Sequence, residues 1–345
     1  MTRTSRLFKA LLATAVTLAL VGGTGGAASA APADRSGRWL ERQLDHGLVH
    51  NDVYDFDDYG LTADTGMALA EIGGHRAAVG QVRRALAQHV DSWTTGVDFG
   101  SSDIYAGSVA KALVLAEVTG ADPRDFGGVD LVERLDGRIS TEPAVRGRVQ
   151  DKTSGTDYAN TLGQAYAAAG LSLAGSGRAG SAVRYLITQQ CDAGFFRLYF
   201  SDPGAADQDC DAAARADRRP DTDATAVAVI NLLSIEHPSA SVKRSVRAAL
   251  AWLVRTQGRN GSFGGGPTTS AANSNSTGLA AWALARGGRC GAAKDAAGWV
   301  AKLQKKSGAV AYDRAAFKAG IDADSLDQWR RATAQAGPGL RLRGC

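Results

Sequence analysis

Three stretches of this chain share one spacing: an aromatic residue, a Gln five positions on, and a Gly four further. They are Tyr185–Gln190–Gly194, Trp252–Gln257–Gly261 and Trp299–Gln304–Gly308. A shortened fourth copy, Trp39–Gln43–Gly47, lies near the start. A recurring period means a unit that cannot bury its apolar face alone and must stack on its neighbours. Between these copies lie Ala/Leu/Val-rich stretches, each opened by a cluster of small polar residues, as at Thr62-Ala63-Asp64-Thr65, Asp221-Thr222-Asp223-Ala224 and Ser274-Asn275-Ser276-Thr277. Looser versions begin at Ser102-Asp103, Thr156-Asp157 and Asp322-Ala323-Asp324.

The two kinds of stretch differ in periodicity. Residues 244–257 carry Val246, Leu250, Leu253 and Val254 along one helical face and Arg244, Arg247 and Arg255 elsewhere, the pattern of a surface helix. The Ala-rich stretches are apolar nearly all round, the pattern of a buried helix. Outer helices are expected near 35–48, 75–92, 126–137, 177–190, 240–257 and 291–305. Inner helices are expected near 62–73, 103–119, 157–170, 222–234, 275–286 and 322–335. Six of each predicts an all-α ring of six helical hairpins, an α/α toroid. Trp252 and Trp299 are expected to be buried between helices, and Gln190, Gln257 and Gln304 to anchor turns.

Inner-to-outer connections are short, such as Gly73-Gly74 and Gly287-Gly288, and outer-to-inner ones are long. All long loops therefore fall at one end of the ring, together with the N-termini of the inner helices. Binding residues concentrate on loops held by a rigid scaffold. Asp64, Asp103, Asp157, Asp223, Asn275 and Asp324 are each expected to start an inner helix at this face, with a helix dipole stabilising every carboxylate. Such a mouth suits a hydroxylated or cationic ligand better than an anionic one, and a small molecule, a glycan or a protein is the expected partner.

The first 30 residues read as a secretory signal peptide: Arg3, Arg6 and Lys9, a short apolar core from Leu11 to Val21, then Ala28-Ser29-Ala30. The expected organisation is a signal over 1–30 and one toroid domain over 31–345, exported and extracellular. The formal charge is +4, but three of the 39 basic residues lie in that leader, leaving 36 against 35 acids. That balance gives no reason to expect nucleic acid, and no later stretch has the apolar length to span a bilayer. Four Cys suit an oxidising compartment. Of the three possible pairings, Cys191–Cys210 and Cys290–Cys345 are the expected bridges. No metal site is expected, since there is no C-x-x-C and no Cys/His cluster, and no cofactor motif is present.

The Gln and Gly spacings, with Gly194-Phe195 and Gly261-Ser262-Phe263 following two of the Gln residues, resemble the terpenoid-cyclase and protein-prenyltransferase superfamily of α/α toroids. In that family the Gln and Gly tie the end of an outer helix to the next turn. The superfamily includes enzymes, cobalamin carriers and complement-type domains, so the resemblance speaks for fold more than for function. Asp221-Thr222-Asp223-Ala224 looks like the D-x-D-D acid motif of class II terpene cyclases, in which the middle Asp protonates an alkene or epoxide. By that likeness Asp223 would be the acid; Ala224 in the fourth position leaves the motif incomplete. The other reading is that Asp221 or Asp223 caps an inner helix. The zinc set of a prenyltransferase and the Cys-Gly-Glu-Gln run of a thioester domain are both missing. The favoured function is a non-catalytic binding or interaction module using the long-loop face. The alternative is a terpene-cyclase-like or glycan-active enzyme with Asp223 as general acid. Asn51, Asp52, Asp55, Asp57 and Asp58 form an acidic loop that reads as solvated, with Ca²⁺ as the other possibility. His75 is expected to be solvated.

Overall fold

A computed structural model describes residues 31–345; the leader reading of 1–30 lies outside the described residues. Outer helices are α1 (Pro32–Glu41) and α3 (Arg76–Gln88), the latter followed by a short α4 (Val90–Thr94). Each is paired with an inner helix, α2 (Tyr59–Ile72) and α5 (Ala106–Thr119). The series continues as outer α6 (Leu131–Asp136), inner α7 (Thr161–Leu173), outer α8 (Ala179–Thr188) and inner α9 (Thr222–Leu232). It ends with outer α10 (Ala240–Thr256), inner α11 (Ser274–Arg286), outer α12 (Cys290–Ala301), a short α13 (Arg314–Ala319) and inner α14 (Leu326–Ala336). The inner helices pack in cyclic order, α2 on α5, α5 on α7, α7 on α9, α9 on α11, α11 on α14, and α14 back on α2. This closes the ring: the fold is an all-α toroid.

The inner helices run parallel. Gly107 faces Gly163, and Gly170 faces Leu113, matching early with early and late with late positions of α5 and α7. Alanine and glycine on these faces permit the close approach, and the helices are buried nearly all round. The one two-stranded ribbon among the described residues, β1 (His50–Asn51) with β2 (Phe56–Asp57), lies in the first long loop.

The joints between outer helices explain the recurrent spacing. Gln190 Nε2 donates to the carbonyl of Gly194 in its own turn and of Ser245 on the next outer helix. Gln257 does the same to Gly261 and Ala292, and Gln304 to Gly308 and Pro32, which joins the last outer helix to the first. Each Gly has a positive φ and lies against the neighbouring helix backbone. A Cβ at Gly261 would overlap the carbonyl of Asp295, and one at Gly308 that of Arg35. Two residues past each Gly, the amide of Phe196, Phe263 or Val310 donates to Thr225, Thr277 or Thr333 on the inner helix. Val49 reaches Thr62 in the same way after Gly47.

Several expectations need correcting. The outer helix placed at 126–137 spans only 131–136, because Gly127 and Gly128 hold left-handed backbone that a helix cannot include. Trp252 is buried beside Phe195, whereas Trp299 is only half-buried. His75 is buried, with Nδ1 3.0 Å from the Glu41 carboxylate. The bridges Cys191–Cys210 and Cys290–Cys345 are both present.

Candidate ligand cavity and its acid

Helix capping decides which acids are free to do anything else. In no inner helix is the residue expected to start it the one at the cap position. Asp58, Asn160, Asp221 and Asn273 accept the first amides of α2, α7, α9 and α11. Asp64, Asp223 and Asn275 therefore lie inside their helices. The reason is tertiary: Thr225 Oγ1 donates back to the Asp221 carbonyl while accepting from Phe196, which fixes the helix start at Asp221. Thr277 does the same with Asn273. Asp103, Asp157 and Asp324 precede their helices in loops. Asp103 accepts from Thr153, and Asp157 pairs with Arg148 at 3.5 Å while accepting from the amide of Asp151. Asp324 is exposed.

Of these six polar residues only Asp64 and Asp223 line the ring interior, a cavity of about 770 Å³. Its wall draws on all six inner helices, with apolar Met67, Val114, Val227, Ile230 and Leu279 and aromatic Trp93, Tyr166 and Trp282. Asp64 is neutralised there by Lys111, at 2.6 Å. Asn275 does not reach the cavity, and its Oδ1 has no hydrogen-bond partner.

Asp223 is in a different state. Burial pushes its carboxyl up to about 6; the Ser276 hydroxyl beside it opposes the shift and the charge of Asp221 adds to it. Neither Asp223 Oδ1 nor Ser276 Oγ completes a hydrogen bond of good geometry. The loop 264–269 folds over both acids: a Cβ at Gly265 would crowd Asp223 Oδ2 and Ser276 Oγ, and one at Gly266 would crowd Asp221 Oδ2. The glycine run is thus a close backbone cover. Asp221 is also raised by burial, against the pull of the amides it caps.

Sequence reasoning missed Asp151, which lines the cavity while its carboxylate accepts from the amides of Ala106 and Tyr158. It also missed Lys111, Trp282 and Arg286. An i, i+3, i+7 stripe (Leu279, Trp282, Arg286) was visible in α11, but a helix buried all round does not announce which side faces a void. The acidic loop is used internally: Asp52 pairs with Arg330, Asp57 with His50 and Asp58 with Arg331. No group of three or more His, Cys, Asp or Glu placed to hold a metal occurs among the described residues. None of the helices among them is long and apolar enough to cross a membrane.

No protein-family model matches the chain, and no curated protein matches its sequence. Solved structures do match. The type II terpene cyclase MstE from Scytonema, in complex with geranylgeranyl dihydroxybenzoate, superposes with a TM-score of 0.64 at 17% identity, over 90% of this chain and 96% of that one. A protein from Actinoplanes gives 0.61 at 18% identity, over 90% and 98%. A glycosidase in complex with glucose gives 0.54 at 15%, over 90% and 95%. At such identities the likeness speaks for architecture alone. The chain has the terpenoid-cyclase-like α/α-toroid fold.

Proposed function

We propose that this protein takes a small, largely apolar molecule into the interior of its ring. The observation that carries this reading is the cavity of about 770 Å³ walled by all six inner helices, within the range of small-molecule sites. The two disulfides agree with action outside the cytoplasm. The expected partner moves from the long-loop surface to the interior behind it; a protein or glycan bound only at the face would leave the cavity without a role. Native mass spectrometry of the protein, incubated with extracts of the producing culture, tests this. A one-to-one adduct is expected, lost in Val227→Trp, which fills the cavity. An adduct that survives that substitution, or none at all, would refute it.

A second reading is catalytic, and Asp223 favours it. It is not the cap, it lines the cavity, and its carboxyl is held at about 6, so a protonated fraction persists near neutral pH. Its O–H bond would break as a C–H bond forms on a substrate alkene. The resulting cation would face the rings of Trp93, Tyr166 and Trp282, and loss of a neighbouring proton back to the carboxylate would close the cycle. The likeness to MstE supports an isoprenoid substrate; a glycosidic reaction fits less well, because the other carboxylates of the cavity wall are engaged, Asp64 with Lys111, Asp151 with the amides of Ala106 and Tyr158, and Glu71 with Arg343. Incubation with polyprenyl substrates should give isomers of unchanged mass in wild type and none with Asp223→Asn. If wild type leaves every such substrate unchanged, the binding reading stands alone.

A further inference from the structure

Arg286 occupies the last turn of α11, half-buried, and lines the cavity. Among the described residues it makes no hydrogen bond and no ion pair. One turn earlier on the same face, the indole Nε1–H of Trp282 is buried and also without an acceptor. Beside them Arg343 lines the cavity from segment 342–345. That segment is pinned by the Cys290–Cys345 bridge and by Gly344, whose positive φ lets the backbone lie against the Ala285 carbonyl. The carboxylate at this end is Glu71, 3.7 Å from Arg343 Nε. Arg343 thus has a carboxylate within ion-pair distance, and Arg286, among the described residues, has none. Deeper in the cavity, Lys111 and Asp64 cancel.

The negative end of the α11 dipole favours a cation at this position. That accounts for a basic residue there, yet the guanidinium N–H groups bond to none of the carbonyls at the end of the helix. A planar fork of donors fits a carboxylate, sulfate or phosphate two bonds at a time.

We propose that Arg286, supported by Arg343, binds the anionic head group of the molecule held in the ring. This rests on the reading of the interior as a small-molecule site and adds its substrate class. Ser276, beside Asp223, and Arg286 are ten residues apart on α11, a rise of about 15 Å at 1.5 Å per residue. The occupant is therefore an amphiphile: an apolar body about that long, with its far end at Asp223 and an acidic head at Arg286. Acids at the loop end and guanidiniums at the other give the cavity a polarity that sets this orientation.

Calorimetric titration of the full chain with four probes of one chain length tests the assignment: dodecanoate, dodecyl phosphate, dodecanol and dodecyltrimethylammonium, each below its micelle concentration. The two anions are expected to bind about tenfold or more tighter than the neutral and cationic probes, the scale of a charge-assisted bidentate contact; whichever anion is tighter identifies the head. Arg286→Gln should abolish that preference, the two anions falling to about the affinity of dodecanol. Glu71→Gln should strengthen anion binding by removing the competing carboxylate, a gain that misfolding cannot imitate. Equal affinity for all four probes, or an anion preference that survives Arg286→Gln, would overturn the head-group site and leave the small-molecule reading standing. If no probe binds, or if Val227→Trp binds them all as wild type does, the interior is not a ligand site and both readings fall.

Discussion

The joints between α8 and α10, α10 and α12, and α12 and α1 are built alike, and the joint between α3 and α6 is not. At the first three a Gln from the end of one helix donates to the next helix, and a Gly lies against that helix's backbone. At the fourth, Gly127 approaches Ala87 from the opposite direction, and Arg134 reaches back to Thr94 Oγ1 at 2.7 Å and Asp91 at 2.8 Å. In the first type a half-buried amide satisfies two carbonyls. The second relies on a partly exposed ion pair, a kind of contact that contributes little when solvated. A ring needs every joint closed but does not need every joint to be strong.

The largest effects that would sharpen this contrast come from the glycines. Gly308→Ala places a Cβ in left-handed backbone and against the Arg35 carbonyl, and should cost more than about 3 kcal/mol. Gly120→Ala, also at positive φ but with open space around it, should cost only about 1 kcal/mol. Equal losses in urea melts would show that dihedral strain, not the packed joint, sets the cost. Next come the polar clasps. Gln257→Met leaves the Gly261 and Ala292 carbonyls without their donor, and about 2 kcal/mol is expected; Arg134→Met should cost about 1 kcal/mol or less. The reverse order would break the distinction between the two kinds of joint.

One expected effect has the opposite sign. Asp223, on α9 between two clasped joints, has a folded pKa raised to about 6. A raised carboxyl makes the native state bind more protons than the unfolded chain, so stability falls as pH rises from about 4 to 6, and the deficit is complete above that window. Asp223→Asn should therefore stabilise the protein by about 1–2 kcal/mol at pH 8 and change little at pH 4. Thermal melts at the two pH values provide the check, and a destabilised variant at pH 8 would mean the carboxylate has a stabilising partner.

The three strong joints were legible because Gln and Gly lie on one continuous stretch at fixed spacing. The joint between α6 and α8 was not. Gly147 packs on Ser181 there, but the amide that clasps it belongs to Gln164, 17 residues on along the chain and part of inner helix α7. No local spacing reveals a donor supplied by a different element. The candidate acids show the same limit at finer scale. Asp221 and Asp223 have equal claims to cap α9 by type and position, and the hydrogen bonds through Thr225 to Phe196, a residue in the preceding loop, decide between them. Arg286 and Lys111 could not be singled out, because their role depends on a cavity that exists only when six helices meet.

The clasp formed by Gln304 differs from its siblings in the order of events it imposes. Gln190 and Gln257 bridge separations of 55 and 35 residues, whereas Gln304 reaches Pro32 across 272. For a flexible chain the longer closure would carry an added entropic penalty of about 2 kcal/mol, so the short-range clasps form first and assemble an arc. That arc brings α12 round to α1 and removes most of the penalty before the last contact is made. Until then its two terminal inner helices, α2 and α14, expose the flanks that later cover each other. A partly folded chain of this design therefore has two sticky ends that fit one another, and at high concentration it will join end to end with other copies instead of closing on itself.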